Sequence, residues 1–311
     1  MSNQIFLTTI IHTKNSAATL TKCLDSVSWS DEILVVDMGS SDNTLSIAEK
    51  FKCRILTVKD QKFADPLRNY AVDKAKGNWV LVVDSDEYVS LALQRKIQEI
   101  LIAPQADVYW LCRQNWIFGK WIQHTGWWPD YQPRLFLKGQ VKWGDHAHTF
   151  PVTKGKSEYL PADPTAALIH HNFPTVESYL ERLDRYTTLQ AEQSVDFQDA
   201  KLYSESSVLK EFSGDFFRRF FAENGWQDGT HGLVLSLYQS VYQLTTRVKM
   251  WQKTGFVTDL NFAGQSANDP ESITALEEMR QELSYWLATW KIDHTQGINR
   301  WWWRLRRRLR V

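Results

Sequence analysis

No run of about 18 apolar residues occurs in the chain, so the sequence predicts no transmembrane helix. Cysteine is scarce: Cys23, Cys53 and Cys112 are odd in number, scattered and without metal-ligand spacing, which argues against a disulfide framework and fits a reducing compartment. Neither sign of charge prevails, because 36 Lys and Arg balance 36 Asp and Glu, and no global field selects nucleic acid. A G-x-G-x-x-G is missing after the first apolar strand, which counts against a dinucleotide-binding Rossmann site. At Met1-Ser2-Asn3-Gln4 no basic segment leads into an apolar one, so no signal peptide is expected and the expected location is the cytoplasm, with contact at a membrane surface allowed. What is plentiful is core and aromatic material. The 311 residues are 43% hydrophobic, enough for one large α/β domain plus an extension, and the 15 tryptophans far exceed ordinary usage.

Trp79-Val80-Leu81-Val82-Val83-Asp84-Ser85-Asp86-Glu87 runs a fully apolar strand into three carboxylates. Carboxylates at the carboxyl end of a buried strand stand where open α/β sheets bind ligands, and an Asp-x-Asp pair suits a hard divalent cation that bridges to phosphates. The plainer reading is that Ser85, Asp86 and Glu87 cap a helix starting near Leu91. Upstream, strands are expected over Ile5–His12, Glu32–Asp37 and Cys53–Val58, with helices over Ala17–Val27, Thr44–Phe51 and Pro66–Ala75. Such alternation specifies a parallel sheet covered by helices, and right-handed crossovers bring the polar strand ends Thr13-Lys14-Asn15, Asp37 to Asp42 and Asp84 to Asp86 to one edge.

In this order and spacing, Thr13-Lys14-Asn15, Val35 to Thr44, Arg68-Asn69-Tyr70-Ala71 and Asp84-Ser85-Asp86-Glu87 resemble a family 2 glycosyltransferase. The likeness continues through Gly126-Trp127-Trp128-Pro129-Asp130 and Arg134-Leu135-Phe136 to Tyr179–Thr188, and there it resembles the bacterial subgroup containing lipopolysaccharide-core glucosyltransferases. The resemblance implies an α/β GT-A fold, a Rossmann-like, mostly parallel sheet of the nucleotide-diphospho-sugar transferase type, with a helical C-terminal extension. It further implies Thr13 and Asp37 in the nucleotide pocket, Arg68 near the donor pyrophosphate, Asp84 facing ribose or metal, and Asp86 as direct ligand of Mg²⁺ or Mn²⁺. Glu87 either orients this site or is a helix N-terminal acid. Inverting transfer also needs a base on the far side of the sugar from the leaving phosphate, and the resemblance assigns Asp130, with Asp145 as rival. Where relatives read His-Glu, this chain reads Gly144-Asp145-His146-Ala147-His148-Thr149. His148 is the expected further metal ligand, and the pair His170-His171 is a second choice.

Residues 1–175 are thus expected to form the catalytic domain, with a nucleotide-sugar half over 1–104 and an acceptor half over 105–175. Residues 176–260 form a helical extension that either packs on it or faces a membrane, and residues 261–311 form a linker, an amphipathic helix over Glu271–Trp290 and a basic aromatic tail. From Arg300 to Arg310 the tail holds six arginines, three consecutive tryptophans and no acid. Arginine and indole together favour the headgroup layer of an anionic membrane over nucleic acid. The expected activity is inverting, metal-dependent transfer of a sugar from a nucleotide-sugar donor, a UDP-sugar, to a lipid-linked or cell-surface glycan such as lipopolysaccharide core. The alternative is a catalytically silent protein of the same fold that binds nucleotide-sugar or glycan in a membrane-associated assembly.

Overall fold

The computed structural model describes residues 6–58, 65–144, 151–193, 205–256 and 271–309. The chain divides into two compact units, one of residues 1–122 and 127–176, the other of residues 123–126 and 177–311.

In the first unit the order is β1 (Leu7–Thr13), α1 (Leu20–Ser26), β2 (Glu32–Asp37), α2 (Thr44–Lys50), β3 (Arg54–Thr57), α3 (Asp65–Lys74), β4 (Trp79–Asp84), β5 (Glu87–Val89), α4 (Leu91–Ile102), β6 (Val108–Ile117), β7 (Lys120–Trp121), β8 (Asp130–Leu137), β9 (Val141–Lys142), β10 (Val152–Thr153), β11 (Ser157–Tyr159) and β12 (Leu168–Phe173). The main sheet runs β3-β2-β1-β4-β8-β6-β12-β5, with β7 and β11 also on β6. Pairings among β1, β2, β3 and β4 are parallel, whereas β8 runs antiparallel to both β4 and β6. This mixed, mostly parallel sheet is the GT-A arrangement. Strands buried on both faces read as continuous apolar runs, and alternation along each strand sorts their side chains into two cores. Leu7, Ile11, Leu81 and Val83 pack with α1, α2 and α4 on one side; Ile10, Val80 and Val82 pack with Ala71 and Val72 of α3 on the other.

Register fixes the working edge. Thr13 stands opposite Asp37, and His12 opposite Asp84, so β1, β2 and β4 end together. The capping reading of Ser85 to Glu87 does not hold: Ser90 accepts from the Leu93 N–H at the start of α4, and Glu87 opens β5 instead. On β8 the pairing with β6 shifts between Trp110 opposite Pro133 and Tyr109 opposite Leu135, which leaves Arg134 as the extra residue of a bulge. Bulges re-aim side chains beside sites, and Arg134 is turned into the carboxylates at the end of β4.

The second unit is helical: α5 (Val176–Gln193), α6 (Glu205–Phe217), α7 (Thr230–Lys253), α8 (Glu271–His294) and α9 (Gly297–Leu309), with a π-helical turn over Arg218–Ala222. Helix α6 packs on α7 and α8, and α9 packs on α8. Residues 123–126 group here because the Asp228 carboxylate accepts the N–H groups of Gln123 and His124, at 3.4 and 2.9 Å. The basic tail is helical through Leu309. Within α9, Ile298, Trp301, Trp302 and Leu305 recur at i, i+3, i+4 and i+7 and are all exposed, from 83% at Ile298 to 40% at Leu305. No described helix is long and apolar enough to cross a membrane.

Candidate active site

Three strand-end loops are stitched together by side chains. Asn15 accepts the Ser41 N–H at 2.8 Å, Thr44 Oγ1 accepts the Ser16 N–H at 2.8 Å, and Ser16 and Ser85 hydroxyls meet at 2.8 Å. Asp37 is buried and its carboxylate accepts the N–H groups of Gly39 and Ser40 at 3.1 Å, an Asx turn that the positive φ of Gly39 permits. Thr13 is buried at the end of β1, where its Oγ1 has no hydrogen-bond partner among the described residues. Such a hydroxyl is costly in a finished core and suits a site that receives a polar ligand.

Asp84 lies between two guanidiniums. Arg68 Nη2 donates to Oδ1 at 2.8 Å and Arg134 Nη2 to Oδ2 at 2.6 Å, holding the carboxyl well below its usual range against the burial that would raise it. Arg68 is not a solvated helix arginine, since its side chain is only 11% exposed. Glu87 is fully buried and ties the cluster together: Oε2 accepts the Asp84 N–H at 2.9 Å, while Oε1 accepts from Arg134 at 3.0 Å and Arg113 at 3.3 Å. Glu87 thus joins the backbone at the end of β4 to both arginines.

Asp130 opens β8 directly opposite Arg113 of β6. Its Oδ2 accepts from Arg113 Nε at 2.8 Å, Arg113 Nη2 at 2.6 Å and Asn115 Nδ2 at 3.0 Å, and Oδ1 accepts from Gln132 Nε2 at 3.0 Å. Burial raises its pKa, but the Arg113 charge and these donors prevail and lower it, so the group is ionised at neutral pH. Asp86 follows β4, and His170 of β12 faces it, Nε2 to Oδ2, at 3.6 Å. The other ring nitrogen of His170 meets Asn115 Oδ1 at 2.7 Å. Of the two expected metal ligands, Asp86 is thus placed beside a histidine, but that histidine is His170; His148, like Asp145, lies outside the described residues. Among the described residues no group of three His, Cys, Asp or Glu side chains converges as a metal cage.

Thr13, Asp37, Arg68, Asp84 and Asp86 all lie at the strand-end edge, and Asp84 is linked to Asp130 through Arg134, Glu87 and Arg113. Arg113, Asn115 and Gln132 were not singled out from the sequence. Their signal was a period of two: Arg113 and Asn115, Asp130 and Gln132, and His170 and Asn172 are polar pairs on one face of their strands.

Residues 8–156 match the family model described as glycosyl transferase family 2. This chain carries a family 2 glycosyltransferase domain. The glycosyltransferase is similar to the lipopolysaccharide core biosynthesis glycosyltransferase LpsC of Rhizobium meliloti, 23% identical over 248 residues that span 77% of this chain and 89% of the relative. It is also similar to an uncharacterized glycosyltransferase of Rickettsia felis, 27% identical across 74% of this chain and 84% of that one. Among solved structures, Staphylococcus aureus TarS 1–349 in complex with UDP-GlcNAc aligns over 92% of the glycosyltransferase and 83% of that chain, at 14% identity and a TM-score of 0.44.

Proposed function

We propose that the protein transfers a sugar, with inversion, from a UDP-sugar to a hydroxyl of a lipid-linked envelope glycan of the lipopolysaccharide-core kind. The observation that carries this reading is the joined edge at which Arg68 and Asp84 meet Asp130 through one ion-pair network, with Asp86 two residues beyond Asp84 and facing His170. The similarity to LpsC supports the acceptor class, and the family resemblance supports the donor class.

Thr13 and Asp37 line the nucleotide side, and the planar guanidinium of Arg68 neutralises the diphosphate. Asp84 stays ionised and holds the two arginines at the end of β4. The donor chemistry fits Mg²⁺ or Mn²⁺: a carboxylate at Asp86 and an imidazole Nε2 at His170, 3.6 Å apart, too long for a hydrogen bond between them. Such an ion supplies Lewis-acid neutralisation of charge on the departing nucleoside diphosphate. Asp130 is the base. Its Oδ1 has one donor among the described residues against three at Oδ2, so Oδ1 is the atom that accepts the acceptor hydroxyl and takes its proton as the new glycosidic bond forms. A base of lowered pKa is weak, and the proton moves only once attack has made the hydroxyl acidic. The C-terminal tail brings the enzyme to an anionic membrane where such acceptors reside.

The test is nucleotide release by the full chain with UDP-, GDP-, CMP- and TDP-sugars and a glycolipid acceptor fraction, in Mg²⁺, Mn²⁺ or EDTA. One UDP-sugar is expected to turn over in a metal-dependent manner, with Asp86→Ala inactive and Asp130→Asn slowed by about 10²–10⁴-fold. Wild-type turnover in both variants overturns the assignment of these residues.

A further inference from the structure

Asn115 sits at a junction that neither metal binding nor base chemistry assigns to it. It lies on β6 directly opposite His170 of β12, fully buried. Its amide orientation is fixed by its surroundings. Nδ2 lies 3.1 Å from the Trp127 carbonyl and 3.0 Å from Asp130 Oδ2, two groups that only accept, whereas Oδ1 lies 3.4 Å from the Asn172 amide nitrogen, which only donates. Oδ1 is therefore the acceptor end, and it faces His170 Nδ1 at 2.7 Å. An acceptor at that distance requires the proton to be on Nδ1. In a neutral imidazole the lone pair is then left on Nε2, the nitrogen that points at Asp86 from 3.6 Å.

We propose that Asn115 is a positioning residue that locks His170 in its Nδ1–H tautomer, presenting the Nε2 lone pair beside the Asp86 carboxylate for a divalent cation, while its amide nitrogen holds Asp130. One uncharged side chain thereby sets both the electrophilic and the basic side of the site. Free histidine favours the opposite tautomer, with the proton on Nε2, which would turn a donor toward Asp86 and block a metal bond. The partner that fixes the non-ligating nitrogen of a ligand histidine raises metal affinity by about 10–100-fold in sites of this type. The inference rests on the metal reading above only for what the lone pair binds; the tautomer itself does not.

The experiment therefore has a metal-free arm. Long-range ¹H–¹⁵N correlation spectra of the full chain in EDTA at neutral pH, with His170 assigned through His170→Gln, are expected to give an Nδ1–H imidazole in the wild type. In Asn115→Leu they are expected to give predominantly Nε2–H. An Nε2–H ring or a doubly protonated imidazolium in the wild type, or an unchanged tautomer in Asn115→Leu, overturns the proposal. The second arm measures Mn²⁺ binding by the loss of free-ion EPR signal in the presence of UDP. Asn115→Leu is expected to weaken Mn²⁺ at least 10-fold with Asp86 and His170 intact. Asn115→Asp keeps an acceptor for Nδ1–H and is expected to retain Mn²⁺ while turnover falls, because the donor to Asp130 is gone. If Asp86→Ala and His170→Ala lose Mn²⁺ but Asn115→Leu binds like wild type, the metal reading stands and the role of Asn115 fails. If the wild type shows the Nδ1–H tautomer but Asp86→Ala and His170→Ala bind Mn²⁺ unchanged, the metal reading fails and the tautomer lock remains.

Discussion

His12 shows how tightly the strand end is built at the level of single residues. It occupies β1 opposite Asp84, is 4% exposed, and burial together with the nearby Arg68 charge lowers its pKa from 6.5 to about 3, with Asp84 opposing. The folded state therefore keeps His12 neutral where the unfolded chain would protonate it. Its contribution is fully present above pH 6.5 and is lost as the pH falls from 6.5 toward 3, at up to about 1.4 kcal/mol per pH unit. Hydrogen exchange of β1 and β4 amides between pH 7 and 5, corrected for intrinsic rates, is expected to show this loss in the wild type and a slope shallower by nearly one proton in His12→Leu. Equal slopes would assign the loss to other groups. Asp84, Asp86 and Arg68 were legible in the sequence because each sits in a motif at a strand end or helix start. Arg113 and Asn115 were not, because a polar residue every second position reads equally as the wet face of a half-buried strand. Only the register that sets Arg113 against Asp130 and Asn115 against His170 tells a wet face from a site.

Among the elements, β2 and β4 were legible to the residue, since strands buried on both faces have no polar positions to blur their limits. Strand β5 was missed. It is three residues long, starts on a glutamate, and exists because β12 pairs with it across some 80 positions of sequence. Helix α9 is the opposite case: composition announced its chemistry, and the structure adds a geometry. Arg300, Arg304, Arg306, Arg307 and Arg308 share a helix that has no acid, and Ile298, Trp301, Trp302 and Leu305 form its exposed stripe. An apolar stripe flanked by cations suits the interface of an anionic bilayer, where each arginine adds about 1 kcal/mol. Cosedimentation with vesicles of phosphatidylglycerol and phosphatidylcholine is expected to capture the full chain, and pure phosphatidylcholine to capture little. Replacing Arg304, Arg307 and Arg308 by Gln is expected to weaken partitioning on the order of 100-fold, three times about 1 kcal/mol. Equal capture by both lipids, or by a chain ending at Asn299, would remove α9 from the contact.

For the whole molecule, the balance of 36 bases against 36 acids conceals a segregation of charge. Arginines and carboxylates meet at the sheet edge, and a second set of arginines is collected on one helix. Every side chain named at the site belongs to the first compact unit, so binding there has a local signature. A ligand that binds only the folded state stabilises it by RT ln(1 + [L]/Kd), about 2.7 kcal/mol at a hundredfold excess over Kd. Saturating UDP with Mn²⁺ is therefore expected to slow hydrogen exchange in residues 13–17, 37–44 and 84–87, on three loops that side chains already tie together, and to leave α8 and α9 unchanged. EDTA or Asp86→Ala should remove most of the effect at fixed UDP, because the diphosphate would then face Asp84 and Asp86 without an intervening cation. Arg68→Ala should remove it even with Mn²⁺, and it also frees one oxygen of the half-buried Asp84 from its partner. Protection by UDP that is equal in EDTA would mean that the arginines alone carry the diphosphate, and the Asp86–His170 pair would then need another purpose.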